Sequence, residues 1–247
     1  MRGLEDIERF RVTVEAHVAT VTITAPPVNA QDRRFREECI RAFDVLGADA
    51  DVRAIVLTGD GKAFSAGADL SERAAILAEP GGYSRHNRLV RASLDCVLEC
   101  PKPVIAAVNG AAIGAGCVLA LVCDILVVAE EAFLSMTEVD YGLAGGVRHV
   151  LRAFSPSDAR LMIYTAKRIY GPELLRMNAA SLCVPGAKLL EEATSIARTI
   201  AEKVPLAVLR DGYRYEQSQT AALAETEDTK EALAAFREKR KPVFNGR

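Results

Sequence analysis

The chain has 247 residues, half of them apolar and 26 % charged, with a formal net charge of −2. That length admits one large domain or a domain and a half, and the composition supports a substantial core. A near-neutral balance gives no electrostatic support to nucleic-acid binding or to a membrane-surface role; the one dense basic run is Arg237-Glu238-Lys239-Arg240-Lys241.

Taken in chain order, Phe10–Val14 and Val18–Ile23 alternate as strands and end at Pro26-Pro27. A helix is predicted from about Asp32 to Leu46, with Phe35, Cys39, Ala42, Phe43 and Leu46 on one face. Strand Ala54–Thr58 leads through Gly59-Asp60-Gly61 to a small-residue turn, Ala63–Leu70. A second helix, Ser84–Glu99, stops at Pro101. Strand Val104–Val108 feeds a second small-residue turn, Asn109–Val118, and a helix over Gly114–Leu121.

Strands are predicted at Asp124–Val128 and Ala132–Ser135, and Gly142–Gly146 break the pattern. Helices follow at His149–Phe154, Ser157–Thr165 and Glu173–Met177. From about Gly186 the pattern is helical, with Leu189, Ala193, Ala197 and Ile200 in period, and again over Ala221–Phe236. The strand–strand–helix rhythm predicts an α/β core. A soft boundary near residue 190 separates a core, 1–190, from a helical region, 191–247.

Residues Pro103 to Cys123 carry no charge, but Asn109 and three glycines interrupt them, which fits strand, turn and buried helix rather than a membrane span. The six cysteines sit mostly in apolar runs without paired spacing, and there are three histidines, so no metal site is expected. Cys96 and Cys100 are expected on one helix face. The first residues lack the apolar stretch of a signal peptide, so a cytoplasmic location is expected.

The two small-residue turns carry the chemistry. Gly, Ala and Ser leave backbone N–H groups uncovered, and two such turns converging from separate strands would form an oxyanion hole.

Four motifs, Ala63–Leu70 (AFSAGADL), Lys102–Gly110 (KPVIAAVNG), Gly114–Asp124 (GAGCVLALVCD) and Phe236–Phe244 (FREKRKPVF), resemble the crotonase superfamily of enoyl-CoA hydratases and isomerases. The match is collinear over nearly the whole chain. The resemblance implies a spiral of ββα repeats and a C-terminal helical region that makes trimers, commonly paired into hexamers. It implies acyl-CoA thioester substrates and no separate cofactor. The thioester oxygen would lie between the N–H groups of Ala66 and Ala115. The segment Ala66, Gly67, Ala68 and Asp69 would contact coenzyme A, as would Phe236 and Lys239 in the tail.

Hydratases of this superfamily use two glutamates. One is matched by Glu138; where the other would stand, this chain has Val118. A single carboxylate suits double-bond isomerisation, in which one group takes a proton from one carbon and returns it to another. Hydration with an incomplete pair is the chief alternative. Carbon–carbon hydrolysis of a β-oxoacyl thioester and a non-catalytic acyl-CoA-binding homologue are further readings. Asp140 is a candidate substitute for the missing carboxylate, because in an extended segment it shares a face with Glu138. Tyr141, His86 and His149 are candidates to line the acyl pocket, with packing or solvation the simpler expectation. His17 reads as a turn residue.

Overall fold

The apolar runs become strands in two parallel-rich sheets of the computed structural model, which describes residues 3–203 and 223–246. β1 (Phe10–Glu15) and β2 (Val18–Ile23) form an antiparallel hairpin, followed by β3 (Ala30–Gln31) and α1 (Arg33–Ala48). Asp32 caps α1 by accepting the Phe35 N–H at 2.6 Å. The predicted face of that helix is buried, and Phe35 packs at a tilt against Phe10 with ring centroids 4.7 Å apart.

Three strand–strand–helix repeats then wind into a spiral. β4 (Ala54–Gly59), β5 (Ala63–Ser65) and β6 (Gly67–Ala68) precede α2 (Arg73–Ala78) and α3 (Gly82–Leu98). β7 (Val104–Val108) and β8 (Ala111–Ile113) precede α4 (Ala115–Leu121). β9 (Ile125–Ala129) and β10 (Phe133–Ser135) precede α5 (Val147–Ala153) and α6 (Pro156–Thr165). The chain continues through β11 (Ile169–Tyr170), α7 (Gly171–Arg176), β12 (Leu182–Val184) and α8 (Leu189–Ala201) to a last described helix, Glu227–Glu238.

Each repeat gives its first strand to a six-stranded sheet, ordered β1-β2-β4-β7-β9-β12, and its second to a four-stranded sheet, ordered β11-β10-β8-β5. The long sheet is parallel from β2 onward. β7 is buried along its whole length and β4 at all but its last residue, as expected where both faces of a parallel sheet are covered. The α/β spiral expected from the resemblance is therefore present.

Several details differ from expectation. The second turn contains a strand, β8, too short for a periodicity signal. The first turn runs into a 3-10 turn, Leu70–Glu72, before α2. α3 ends at Leu98, so Cys100 lies beyond it and shares no helix face with Cys96. The uncharged stretch forms β7, β8 and the seven-residue α4, and no described helix is long and apolar enough to cross a membrane.

α8 spans the 190/191 boundary. It buries Leu189, Ala193, Ala197 and Ala201 while packing on β4, β7 and β9. The predicted start of the last helix, Ala221, lies outside the described residues. Its tail returns to the sheet, where Arg53 donates to Ala201 O (3.2 Å) and Phe244 O (3.0 Å).

Candidate active site

The first turn is held by buried polar side chains. Asn29 donates to Asp60 O (3.0 Å) and Ala63 O (2.8 Å), and Ser65 Oγ donates to Asn29 O (2.7 Å). Gln31 Nε2 reaches Ser65 Oγ at 3.2 Å. This network fixes where the amides of residues 66–69 point. Ala66 N–H donates to Val28 O at 3.0 Å, so in this fold the expected donor already has an acceptor inside the protein. Gly67 N–H faces Ser65 Oγ (3.3 Å) and Asp69 N–H donates to Gln31 O (3.2 Å). Alternate residues of a parallel strand turn their amides toward the same neighbour, so Ala68, paired with Gln31, turns its N–H away from β3.

The second turn meets the first at Gly67. A Cβ there would collide with Ile113 O and stand 3.2 Å from the Ala115 nitrogen, so no side chain fits between the turns. Ala115 is half-buried and opens α4, where its N–H has no intrahelical acceptor; no hydrogen bond takes it among the described residues. Ala68 and Ala115 thus present amides on the two sides of one close contact.

Glu138 closes the third side. It begins a 3-10 turn, Glu138–Tyr141, and a Cβ on Gly114 would lie 2.8 Å from its Oε1. Its Oε2 is shut off from solvent without a hydrogen-bond partner among the described residues. Burial pushes the Glu138 carboxyl up, opposed by the backbone amides of Glu138 and Thr137. Cys117, next along the wall, has its thiol pushed up by burial first and by the charge of Glu138 second.

The position where the resemblance would put a second carboxylate is apolar. Val118 is 3 % exposed, and a Cβ on Gly146 would fall 2.6 Å from both Val118 Cγ2 and Met136 Cε. Methyl groups fill that part of the wall. The shared face expected for Asp140 and Glu138 is not formed, because both lie in the 3-10 turn Glu138–Tyr141. In a 3-10 turn, residues i and i+2 point about 120° apart, whereas the shared face required an extended chain. Asp140 is exposed. Tyr141, 51 % exposed, offers its carbonyl to Arg73 Nη1 at 2.8 Å.

His149 lies one turn beyond Gly146 on α5, its Nδ1 buried and without a hydrogen-bond partner among the described residues. Burial holds its imidazole down, helped by Arg148 and Arg152 and opposed by Asp95. His86 is elsewhere: it lines a cleft of about 380 Å³ between α1, α2 and α3, together with Arg33, Glu72, Ile76 and Leu89. His17 sits in the β1–β2 turn at φ 65°. Phe236 is 84 % exposed on the last described helix and Lys239 caps that helix in the left-handed region. No hydrogen bond or ion pair among the described residues joins either side chain to the turns.

Sequence reasoning missed Asn29, Gln31 and Ser65, the supports of the first turn. Their only signal was polarity in otherwise apolar company, which marks a satisfied network as readily as a loop.

The sequence model of a family described as enoyl-CoA hydratase/isomerase matches residues 13–247. A Thermus thermophilus protein, provisionally named an enoyl-CoA hydratase, is 36 % identical over 249 residues, covering 93 % of this chain and 98 % of its own. A carnitinyl-CoA dehydratase of Salmonella typhimurium is 32 % identical, covering 97 % and 99 %. Among solved structures, an enoyl-CoA hydratase/carnitine racemase of Magnetospirillum magneticum superposes with a TM-score of 0.88 at 27 % identity, covering 98 % and 97 %.

Proposed function

The chain belongs to the enoyl-CoA hydratase/isomerase family, and from that premise we propose that it shifts a carbon–carbon double bond in an acyl-CoA thioester, with one glutamate, Glu138, as acid/base. The observation that supports isomerisation is the wall formed by the methyl groups of Val118 and Met136 against Gly146, where a second carboxylate would have to hold an attacking water.

In this reading the thioester oxygen lies between the amides of Ala68 and Ala115, with Ala68 taking the place expected for Ala66. Glu138 removes a proton from C2 of a 3-enoyl thioester. The electron pair moves into the carbonyl, giving a dienolate whose oxygen charge the two amides stabilise. Reprotonation at C4 by the same carboxyl gives the 2-enoyl thioester, and Glu138 returns to its starting state. A buried carboxyl with a raised pKa suits the first step, because it is a better base than an exposed glutamate, and the dienolate is basic enough to take the proton back.

Hydration or dehydration is the second reading, favoured by the names of the relatives above rather than by the wall. Coenzyme A contacts are proposed for Ala66, Gly67, Ala68, Asp69, Phe236 and Lys239. A homotrimer or hexamer is supported by apolar side chains exposed near the C-terminal tail: Leu233 at 56 %, Phe236 at 84 % and Val243 at 68 %. A cytoplasmic location is supported by the six free cysteines.

The test is a panel of 2-enoyl-, 3-enoyl- and β-oxoacyl-CoA esters followed by mass spectrometry and NMR. Isomerisation predicts a positional shift of the 3-enoyl ester without mass gain in ordinary water. A gain of one water as the main product favours the hydratase reading, a split skeleton favours hydrolysis, and binding with no conversion makes the chain a non-catalytic homologue.

A further inference from the structure

Arg36, on α1, is 1 % exposed, yet its Nε, Nη1 and Nη2 have no hydrogen-bond partner among the described residues. Glu72 Oε2 stands 3.6 Å from Nη1, within ion-pair range but too far for a hydrogen bond. Burial pulls the guanidinium below the ordinary arginine range, opposed in turn by the charges of Glu72, Asp32 and Asp69. On α3, the imidazole of His86 is held down by burial first and by the charge of Arg36 second, opposed by Glu72. A methionine or leucine at this helix position would fold at least as well, because a desolvated, incompletely paired charge is a net cost. A cost kept in the core of the molecule points to a role outside stability.

The three carboxylates show where that role lies. Asp32 caps α1 immediately after β3. Asp69 caps the 3-10 turn through Ser71 N–H (2.9 Å) and gives its own N–H to Gln31 O (3.2 Å). Glu72 Oε1 accepts the Arg33 N–H at 3.0 Å, joining the end of the 3-10 turn to the start of α1. All three belong to segments that flank Ala68.

We propose that Arg36 is a positioning residue: its buried charge draws Asp69 and Glu72 onto the start of α1 and thereby fixes the direction of the Ala68 N–H. The inference rests on the reading of Ala68 as an oxyanion donor. Arg36 touches no substrate; it acts through the turn.

The test compares wild type, Arg36→Met and Glu72→Gln. The readout is the isotope-edited carbonyl stretch of bound butyryl-CoA, a saturated thioester that undergoes no double-bond shift. In wild type, two amide donors lower that frequency relative to water. In Arg36→Met the stretch returns at least half-way to its solution value. With a 3-enoyl-CoA, kcat falls about tenfold to a hundredfold, as a misdirected catalytic group does, while KM stays within about twofold. Its melting temperature equals or exceeds that of wild type. Glu72→Gln keeps an acceptor for Arg33 N–H and loses the charge, and it moves the stretch the same way by less.

An Arg36→Met protein with the wild-type stretch and kcat overturns the inference. Should Arg36→Met not fold, a stable Glu72→Gln protein with the wild-type stretch overturns it instead. A wild type that binds butyryl-CoA and leaves the stretch at its solution value overturns the oxyanion reading itself, and the inference with it.

Discussion

The two small-residue turns reach the same point by different routes. The second opens α4, and the first amide of any helix lacks an intrahelical acceptor, so Ala115 is a donor by construction. The first turn lies between strands, and there the ladder decides which amides are used. Ala66 donates to Val28 O at 3.0 Å and Asp69 to Gln31 O at 3.2 Å, leaving Ala68 turned the other way. A donor at a helix start follows from the sequence; a donor in a strand pair waits on the register.

The strongest way to test the pairing of turns is to remove the group that serves both. Glu138→Gln keeps the shape of the side chain against Gly114 and removes its proton chemistry. A loss of about a thousandfold in isomerisation is expected, within the range for general acid–base groups, with thioester affinity retained. Steady-state kinetics and equilibrium binding measure the two separately.

Next in size is the donor of the second turn alone. Proline is tolerated at the first position of a helix and carries no N–H, so Ala115→Pro deletes the donor without breaking α4. The expected loss is about a hundredfold to a thousandfold in kcat, with a circular dichroism spectrum like that of wild type. An unchanged kcat would take Ala115 out of the hole.

The contact between the turns is tested by Gly67→Ala. Gly67 has a φ of 86°, and an added Cβ would collide with Ile113 O. The turns must separate, and a loss of about tenfold or more in kcat is expected together with a lower melting temperature.

The pH dependence is a finer test. In the proposed mechanism Glu138 acts first as a base, so activity is expected to fall as pH drops through its raised pKa, with the acid limb above the ordinary glutamate range. For stability the sign is the reverse of a salt-bridged acid. A carboxyl whose folded pKa is raised contributes stability that is full below its unfolded pKa and lost as pH rises through the folded value. At neutral pH the ionised group therefore opposes folding, and Glu138→Gln melts higher than wild type at pH 7. That difference shrinks on acidification, which calorimetry at two pH values measures. The smallest effect belongs to Asp140→Asn. With its side chain exposed and turned from Glu138, it changes kcat by less than about twofold.

The order of strands and helices was legible because the apolar runs and helical faces are long. Phe35, Cys39 and Phe43 on α1, and the unbroken Val104–Val108 of β7, carry their own period. The two-residue β3 and β6 hold the first turn, and two residues have no period. For the same reason Asp140 was placed by an extended-chain argument that a four-residue 3-10 turn cancels. Glu138 and Val118 were legible only through the resemblance, since nothing in their neighbours' chemistry marks either position. Arg36 gave no warning at all: in sequence it is one arginine among several on a helix start, and only burial distinguishes it.

In the proposed mechanism one carboxylate moves one proton. The direct test is to give the enzyme a 3-enoyl-CoA in deuterated water and follow product position and mass together, for wild type and Glu138→Gln. The expected result is a 2-enoyl product carrying deuterium at C4 where the carboxyl has exchanged, no water-adduct beyond a minor fraction, and loss of both shift and exchange in the Gln protein. A 3-hydroxyacyl thioester as the main product, or undiminished conversion by Glu138→Gln, would contradict it.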